Sequence, residues 1–261
     1  MNMNILFIGD VMGRAGRGLL KGYLKDLKQE YQSDFTIVNG ENASGYTGLS
    51  RSSYDELISA GADMITMGNH VWAKKEIFTY IEQVDNLLRP ANYFAPCPGR
   101  GWQVVRVNKT VRIGVVNLSG TVGMDNLENP FLTFDKIYEN LENACDIIIV
   151  DFHAEATSEK IAFSYYASGR ASAVLGTHTH VQTADERILA GGTAAITDVG
   201  MTGPYEGVIG IDKDIIIKSF KTKRPVKFEL AGGRRQINGV SMTFDNNFKP
   251  SKIERIYRLY D

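Results

Sequence analysis

The sequence predicts an α/β protein with a largely parallel first sheet and a more antiparallel second sheet. Three observations carry the prediction. Through the first half, short apolar runs alternate with segments of helical period. Strand–helix–strand alternation of this kind implies right-handed crossovers and parallel pairing. From Arg187 onward the pattern changes to short strands separated by glycines. Finally, 261 residues at 43% hydrophobic composition are enough for one large domain with a sizeable core, and no linker or internal repeat divides them.

Asn4 to Ile8 is a nearly continuous apolar run, as expected of a strand buried on both faces. Leu19, Leu20, Tyr23, Leu24 and Leu27 follow at helical spacing with lysines between them. Phe35 to Val38 is a second strand. Ser53 and Glu56 have the spacing of a capping box for a short helix ending near Gly61. Asp63 to Met67 is a third strand, and Trp72 to Gln83 a further helix. Gln103 to Val107 and Val111 to Leu118 form a hairpin about Asn108-Lys109-Thr110. A helix at Phe134 to Ala144 leads into the apolar strand Asp146 to Val150. Ser158 to Ser168 is helical, Ala171 to Leu175 a strand, and Lys252 to Leu259 the last strand. The whole chain, residues 1–261, is expected to be a single domain, with a small lid possible within about 84–133.

Charge and cysteine content exclude several classes. Twenty-nine basic against 30 acidic residues give a net charge of -1, which disfavours generic nucleic-acid binding by a basic face. The densest basic spots are Arg234-Arg235 and the stretch Lys221 to Arg224. Cys97 and Cys145 form no Cys-x-x-Cys pair and suggest no disulfide framework. No segment approaches the roughly 18 apolar residues of a membrane span, and the N-terminal apolar stretch lacks a signal-peptide pattern. A cytoplasmic protein without membrane partners is expected.

Five strand-following segments end in residues able to bind metal: Gly9-Asp10, Asn39-Gly-Glu41-Asn42, Gly68-Asn69-His70, Asp151-Phe-His153 and Gly176-Thr-His178-Thr-His180. In open α/β sheets ligands bind beyond the carboxyl ends of strands, so these loops should converge on one crevice. Singly, each has a plainer reading. Asp10 could cap the helix after it, Asn39-Gly40 is a common turn dipeptide, and a lone His153 is more often a core residue. His178-x-His180 is stronger, because positions i and i+2 of an extended segment point to the same side. Jointly the plain readings fail, since all four histidines of the chain fall in these segments.

Carboxylate, amide oxygen and imidazole without thiolate suit iron, manganese or zinc. The candidates Asp10, Glu41, Asn42, Asn69, His153, His178 and His180 are too many for one tetrahedral zinc. Two metal ions sharing a bridging carboxylate fit better, and such pairs clamp phosphoryl groups.

Gly68-Asn-His70 and Gly176-Thr-His-Thr-His180 resemble two signatures of the calcineurin-like metallophosphoesterases. More closely, the chain is similar to the YmdB-type bacterial 2',3'-cyclic-nucleotide 2'-phosphodiesterases. The similarity lies in Gly9 to Arg17, Asn39 to Gly45, Leu88 to Asn92, Asp151 to Lys160, Gly176 to Glu186 and Asp198 to Pro204. The chain departs from the wider superfamily in two places: Met12 stands where an Asp-x-His opening has histidine, and Glu41 replaces a bridging aspartate. Both departures are typical of the narrower family. The resemblance implies a four-layer α/β/β/α sandwich, two metal ions, most often iron, and a homo-oligomer. It implies that Asp10, Glu41, Asn42 and His180 hold one metal, and Glu41, Asn69, His153 and His178 the other.

The expected reaction is attack of a metal-bound hydroxide on a 2',3'-cyclic nucleotide or other phosphodiester, with His70 donating a proton to the leaving oxygen. Tyr165, Tyr166 or Tyr205 could stack on a base, and Arg14 or Arg170 could touch phosphate. RNA is a further possible partner. The rivals are a phosphatase or nucleotidase of the same fold, an amidohydrolase using His-x-His, and a catalytically silent regulatory binding protein.

Overall fold

In the computed structural model, which describes residues 2–107 and 110–261, the first apolar run is strand β1 (Met3–Ile8). It is followed by β2 (Asp10–Val11), α1 (Gly13–Glu30), β3 (Phe35–Asn39), α2 (Arg51–Ala60) and β4 (Met64–Thr66). A 3-10 turn at Lys75–Thr79 precedes β5 (Leu87–Leu88), β6 (Trp102–Arg106) and β7 (Arg112–Ser119). Next come α3 (Pro130–Leu141), β8 (Ile147–His153), α4 (Thr157–Tyr166) and β9 (Ala173–Thr177). The chain ends with β10 (Arg187–Ile188), β11 (Ala194–Ile196), β12 (Met201–Pro204), α5 (Lys213–Thr222), β13 (Arg235–Phe244) and β14 (Pro250–Tyr260).

The strands form two sheets, one ordered β2-β12-β13-β1-β3-β4-β5 with β14 on β13, the other β10-β11-β9-β8-β7-β6. Side-chain alternation sorts each strand between two layers. Ile5 and Phe7 of β1 meet Ile147 and Ile149 of β8 in a core between the sheets. Leu6 and Ile8 face outward onto Leu20 and Leu24 of α1 and Leu57 of α2. On the far side, Ile148 and Val150 of β8 pack against Phe134 of α3 and Phe163 of α4. Two helical layers therefore cover two sheets in a four-layer α/β/β/α sandwich. Fully buried side chains such as Phe7 and Phe163 anchor it, and truncating one to alanine typically costs roughly 3–5 kcal/mol.

β1, β3 and β4 run parallel in the first sheet, and β7, β8, β9 and β11 in the second. Their carboxyl ends are where the chemistry-bearing segments emerge.

Several expectations are corrected. The tail does not build a separate, more antiparallel second sheet. β12, β13 and β14 add antiparallel pairs to the first sheet, while β10 and β11 join the second, and both sheets are mixed. The long β13 lies antiparallel to β1 because its buried face completes the same inter-sheet core. The helix expected at Trp72 to Gln83 is instead a series of i→i+3 turns, with Ala73 N–H donating to His70 O and Ile77 N–H to Lys74 O. Trp72 stacks on Phe78 at 5.1 Å there. Helix α5 was expected to be strand. Its run Ile215-Ile216-Ile217 has a strand-like pattern, and only Ile216 is buried. The start is set by Asp212, whose side chain accepts from Asp214 N–H and Ile215 N–H.

The cap of α2 is Ser50, which accepts from Ser53 N–H at 3.3 Å, so the helix begins before the Ser53–Glu56 pair. Gly61 closes it at φ 116°, in the left-handed region that glycine tolerates. β6 and β7 pair antiparallel as expected, and Asn108 and Lys109, about which the hairpin is expected to turn, lie outside the described residues. The segment 84–133 carries β5, β6, β7 and the start of α3. No helix among the described residues is long and apolar enough to cross a membrane.

Candidate metal centre

The five strand-end segments meet. Glu41 Oε1 lies 3.1 Å from His153 Nε2. The same nitrogen is 3.1 Å from Asn69 Oδ1 and 3.1 Å from His178 Nδ1. Four side chains from the ends of β3, β4, β8 and β9 thus aim their polar atoms at one point.

The hydrogen bonds behind these groups decide what they present to it. Thr177 Oγ1 donates to Asp151 Oδ1 at 2.7 Å, so it accepts from His153 Nδ1–H at 2.8 Å. Asp151 is itself held by Thr66 Oγ1 and by Asn39 Nδ2, at 2.5 and 3.0 Å. His178 Nε2 is 3.1 Å from the Glu155 carboxylate, an ion-pair distance that favours keeping the ring proton on that nitrogen. With His153 Nε2 unprotonated, both imidazoles turn lone pairs toward each other and toward two oxygens. Four acceptors facing one another require a cation, which is the arrangement of metal ligands oriented by outer partners. Glu41, His153 and His178 form a cluster able to hold a metal ion.

The electrostatics agree. Burial alone would depress His153, but Glu41 and Asp10 outweigh it and lift the imidazole to about 9. Burial works upward on Glu41, yet His153 and His70 hold its carboxyl down at about 2. His178 is lowered to about 3, by burial first and then by His153. Burial likewise raises Asp10. The cluster thus draws in one positive charge at its centre.

Asp10, Asn42 and His180 adjoin this point. Asn42 Nδ2 lies 3.1 Å from Glu41 Oε1 and 3.2 Å from His180 Nε2. His180 Nδ1 bonds Ile209 O, leaving Nε2 as the acceptor. Asp10 is fully buried, and its Oδ1 has no hydrogen-bond partner among the described residues, at 4.0 Å from His180 Nε2. An orphaned carboxylate oxygen beside an imidazole lone pair fits a cation as well.

His178 and His180 do not alternate along a strand as their spacing suggests. β9 ends at Thr177, and both histidines have positive φ, 101° and 66°. Strained backbone of this kind persists only where neighbours enforce it. Here Asp198 does so, accepting from Thr179 N–H and Oγ1 at 3.0 and 2.7 Å and from the buried Lys160 ammonium at 2.8 Å. The turn sends His178 toward His153 and His180 toward Asn42.

His70 stands apart from the cluster. Its backbone N–H donates to Glu41 Oε2 at 3.2 Å, and its ring has no hydrogen-bond partner among the described residues. It lines a cavity of about 400 Å³ with Glu41, Asn42, His178, His180, Tyr46 and Phe228. Tyr46 and Phe228 meet edge to face at 5.9 Å. They are the aromatic side chains of this wall, and nothing in their sequence context marked them. Tyr165, Tyr166 and Tyr205 are not in it. Tyr165 is exposed on α4, Tyr166 donates to Asp135, and Tyr205 lines a neighbouring cavity. Arg170 is occupied by the same Asp135, and Arg14 is exposed on α1.

Gly68 marks how tightly the centre is built. A Cβ there would fall 2.2 Å from Glu41 Oε2 and 2.3 Å from His153 Nε2. Gly68→Ala should therefore displace both side chains and lose most bound metal while circular dichroism stays native. Unchanged metal content in the variant would contradict this packing.

The two-sheet sandwich and its carboxylate–histidine centre define a fold of the metallophosphoesterase type. The YmdB-like protein family model matches residues 6–256. The chain belongs to that family. It is 52% identical to the 2',3'-cyclic-nucleotide 2'-phosphodiesterase of Bacillus subtilis (strain 168), over 97% of this chain and 96% of the relative. Among solved structures, it is similar to a novel phosphatase from Mycoplasma pneumoniae. That match has a TM-score of 0.94 and 40% identity, covering 100% of this chain and 95% of the other. A hypothetical protein from Thermus thermophilus matches with a TM-score of 0.93 and 39% identity, over 99% and 100% of the two chains.

Proposed function

We propose that this chain is a binuclear metal-dependent phosphodiesterase that opens 2',3'-cyclic nucleotides at the ribose 2' oxygen. That it hydrolyses phosphoric esters rests on the relatives, one a 2'-phosphodiesterase at 52% identity. The observation carrying the site is the meeting of Glu41, Asn69, His153 and His178 around one point, with Asp10, Asn42 and His180 beside it.

In this reading Glu41, Asn69, His153 and His178 hold one metal, and Asp10, Glu41, Asn42 and His180 the other, with Glu41 shared. Asn42 joins by turning its amide so that Oδ1 replaces Nδ2. Oxygen and imidazole donors without thiolate favour iron, with manganese or zinc as alternatives. Bound metals would neutralise the anionic diester and make a water acidic enough to react near neutral pH.

The residues of the chain do the rest. Asp151, through Thr177, fixes the ring of His153, and Asp198 fixes the turn carrying His178 and His180. Tyr46 and Phe228 offer the base an apolar, stacking wall. Water's oxygen bonds to phosphorus and the bond to the 2' oxygen breaks. His70, free of the cluster and facing the cavity, gives that oxygen its proton. The core shared by both sheets supports treating residues 1–261 as one domain, and the family resemblance supports a cytoplasmic homo-oligomer.

A phosphatase of the same fold is the competing reading, since one structural relative carries that description. Parallel assays on 2',3'-cyclic AMP, 3',5'-cyclic AMP and p-nitrophenyl phosphate separate the two. Conversion of 2',3'-cyclic AMP to the 3'-monophosphate as the preferred reaction is expected. Preference for the monoester, with no ring opening, would replace the diesterase reading.

A further inference from the structure

One surface feature is not used by the reaction as described. Between residues 215 and 228 the chain carries Lys218, Lys221, Lys223, Arg224 and Lys227 and no acidic residue. The rest of the chain carries an excess of acidic residues, since the whole chain has a net charge of only -1. All five side chains are exposed, and none pairs with a carboxylate among the described residues. Unpaired like charges repel one another, and an anionic partner would relieve that repulsion.

The cluster is built around a hollow. Lys218, Arg224 and Lys227 line a cavity of about 400 Å³ together with Ile215, Pro225 and Val226. Three cations beside an apolar floor suit a nucleotide unit, which offers phosphate and a flat base, better than a bare phosphate.

Its position ties it to the catalytic cavity. Phe228, next in sequence to Lys227, lines that cavity together with His70 and residues of the cluster. The following residues are pinned in place, with Asp212 N–H donating to Glu229 O and Ala231 N–H to Gly210 O, at 2.9 and 3.0 Å. From Phe228 back to Arg224 the chain reaches at most about 14 Å.

Resting on the phosphodiesterase reading, we infer that the enzyme takes RNA ends, meaning oligoribonucleotides terminating in a 2',3'-cyclic phosphate, as well as free mononucleotides. The cyclic end enters the catalytic cavity against Phe228, and the preceding backbone phosphates lie along Lys218, Arg224 and Lys227. A membrane is the weaker partner for this surface, because the basic stretch runs into a phosphodiester site.

The test uses fluorescence anisotropy with a short labelled oligoribonucleotide ending in a 3'-phosphate, the product-like end that is not turned over. Three phosphate contacts give a salt slope near -2, so wild-type affinity should fall about 20-fold between about 50 and 200 mM salt. The triple variant Lys218→Gln, Arg224→Gln, Lys227→Gln should bind weakly with a slope near zero. Its turnover of 2',3'-cyclic AMP should match wild type, which also shows that it is folded. Equal affinities and slopes for the two proteins overturn the inference, as does binding to anionic lipid vesicles in place of the RNA. Because binding is read without hydrolysis, failure of the wild type on 2',3'-cyclic AMP would count against the proposed reaction alone.

Discussion

Glu41→Gln should keep the fold and lose hydrolysis by roughly 10²-fold or more, the scale of removing one preorganised charge from a reaction centre. Glu41 is the hub of the geometry. One of its carboxylate oxygens faces His153 and Asn42, and the other accepts from His70 N–H. Glutamine preserves shape and volume but cannot offer two anionic oxygens to two cations. It also removes the largest of the charges that together outweigh burial at His153. The variant should therefore bind less metal, with thermal stability close to wild type. Near-normal turnover with full metal content would show that Glu41 is not shared between two ions.

His70→Ala should behave differently, and the contrast identifies its role. Its ring lies outside the cluster and faces the cavity, so metal content and thermal stability should barely change. Hydrolysis of esters with poor leaving groups, such as the ribose 2' oxygen, should fall by roughly 10²–10⁴-fold, the usual contribution of general acid catalysis. p-Nitrophenyl esters leave without help and should be far less affected. Equal losses on both ester types would defeat the proton-donor assignment. Loss of metal would make His70 a ligand, and loss of stability would make it structural.

The layers and the site were legible in the sequence to different degrees. β1, β3, β4, β8 and β9 are short apolar runs ending in a polar residue or a polar turn, and that pattern alone placed Asp10, Glu41, Asn69, His153 and His178 at neighbouring strand ends. What alternation could not reveal was the backbone beyond Thr177, where positive φ at His178 and His180 sends the two rings different ways. Asp198, which enforces that turn, lies 18 residues beyond His180 in the sequence. Its partner Lys160 is on α4, and a buried lysine cannot be told from an exposed one by composition. Tyr46 and Phe228 meet only through tertiary folding, from loops 182 residues apart. Helix α5 was hidden because it buries little and its isoleucines are consecutive.

The central claim is that the two neighbouring donor sets each hold a metal ion and share Glu41. The most direct measurement is elemental analysis of protein reconstituted with iron, or with manganese, and then freed of loosely bound ions. The account predicts two specifically bound metal ions per chain, falling in Asp10→Ala and in His153→Ala. At most one bound ion in the fully reconstituted wild type would contradict it.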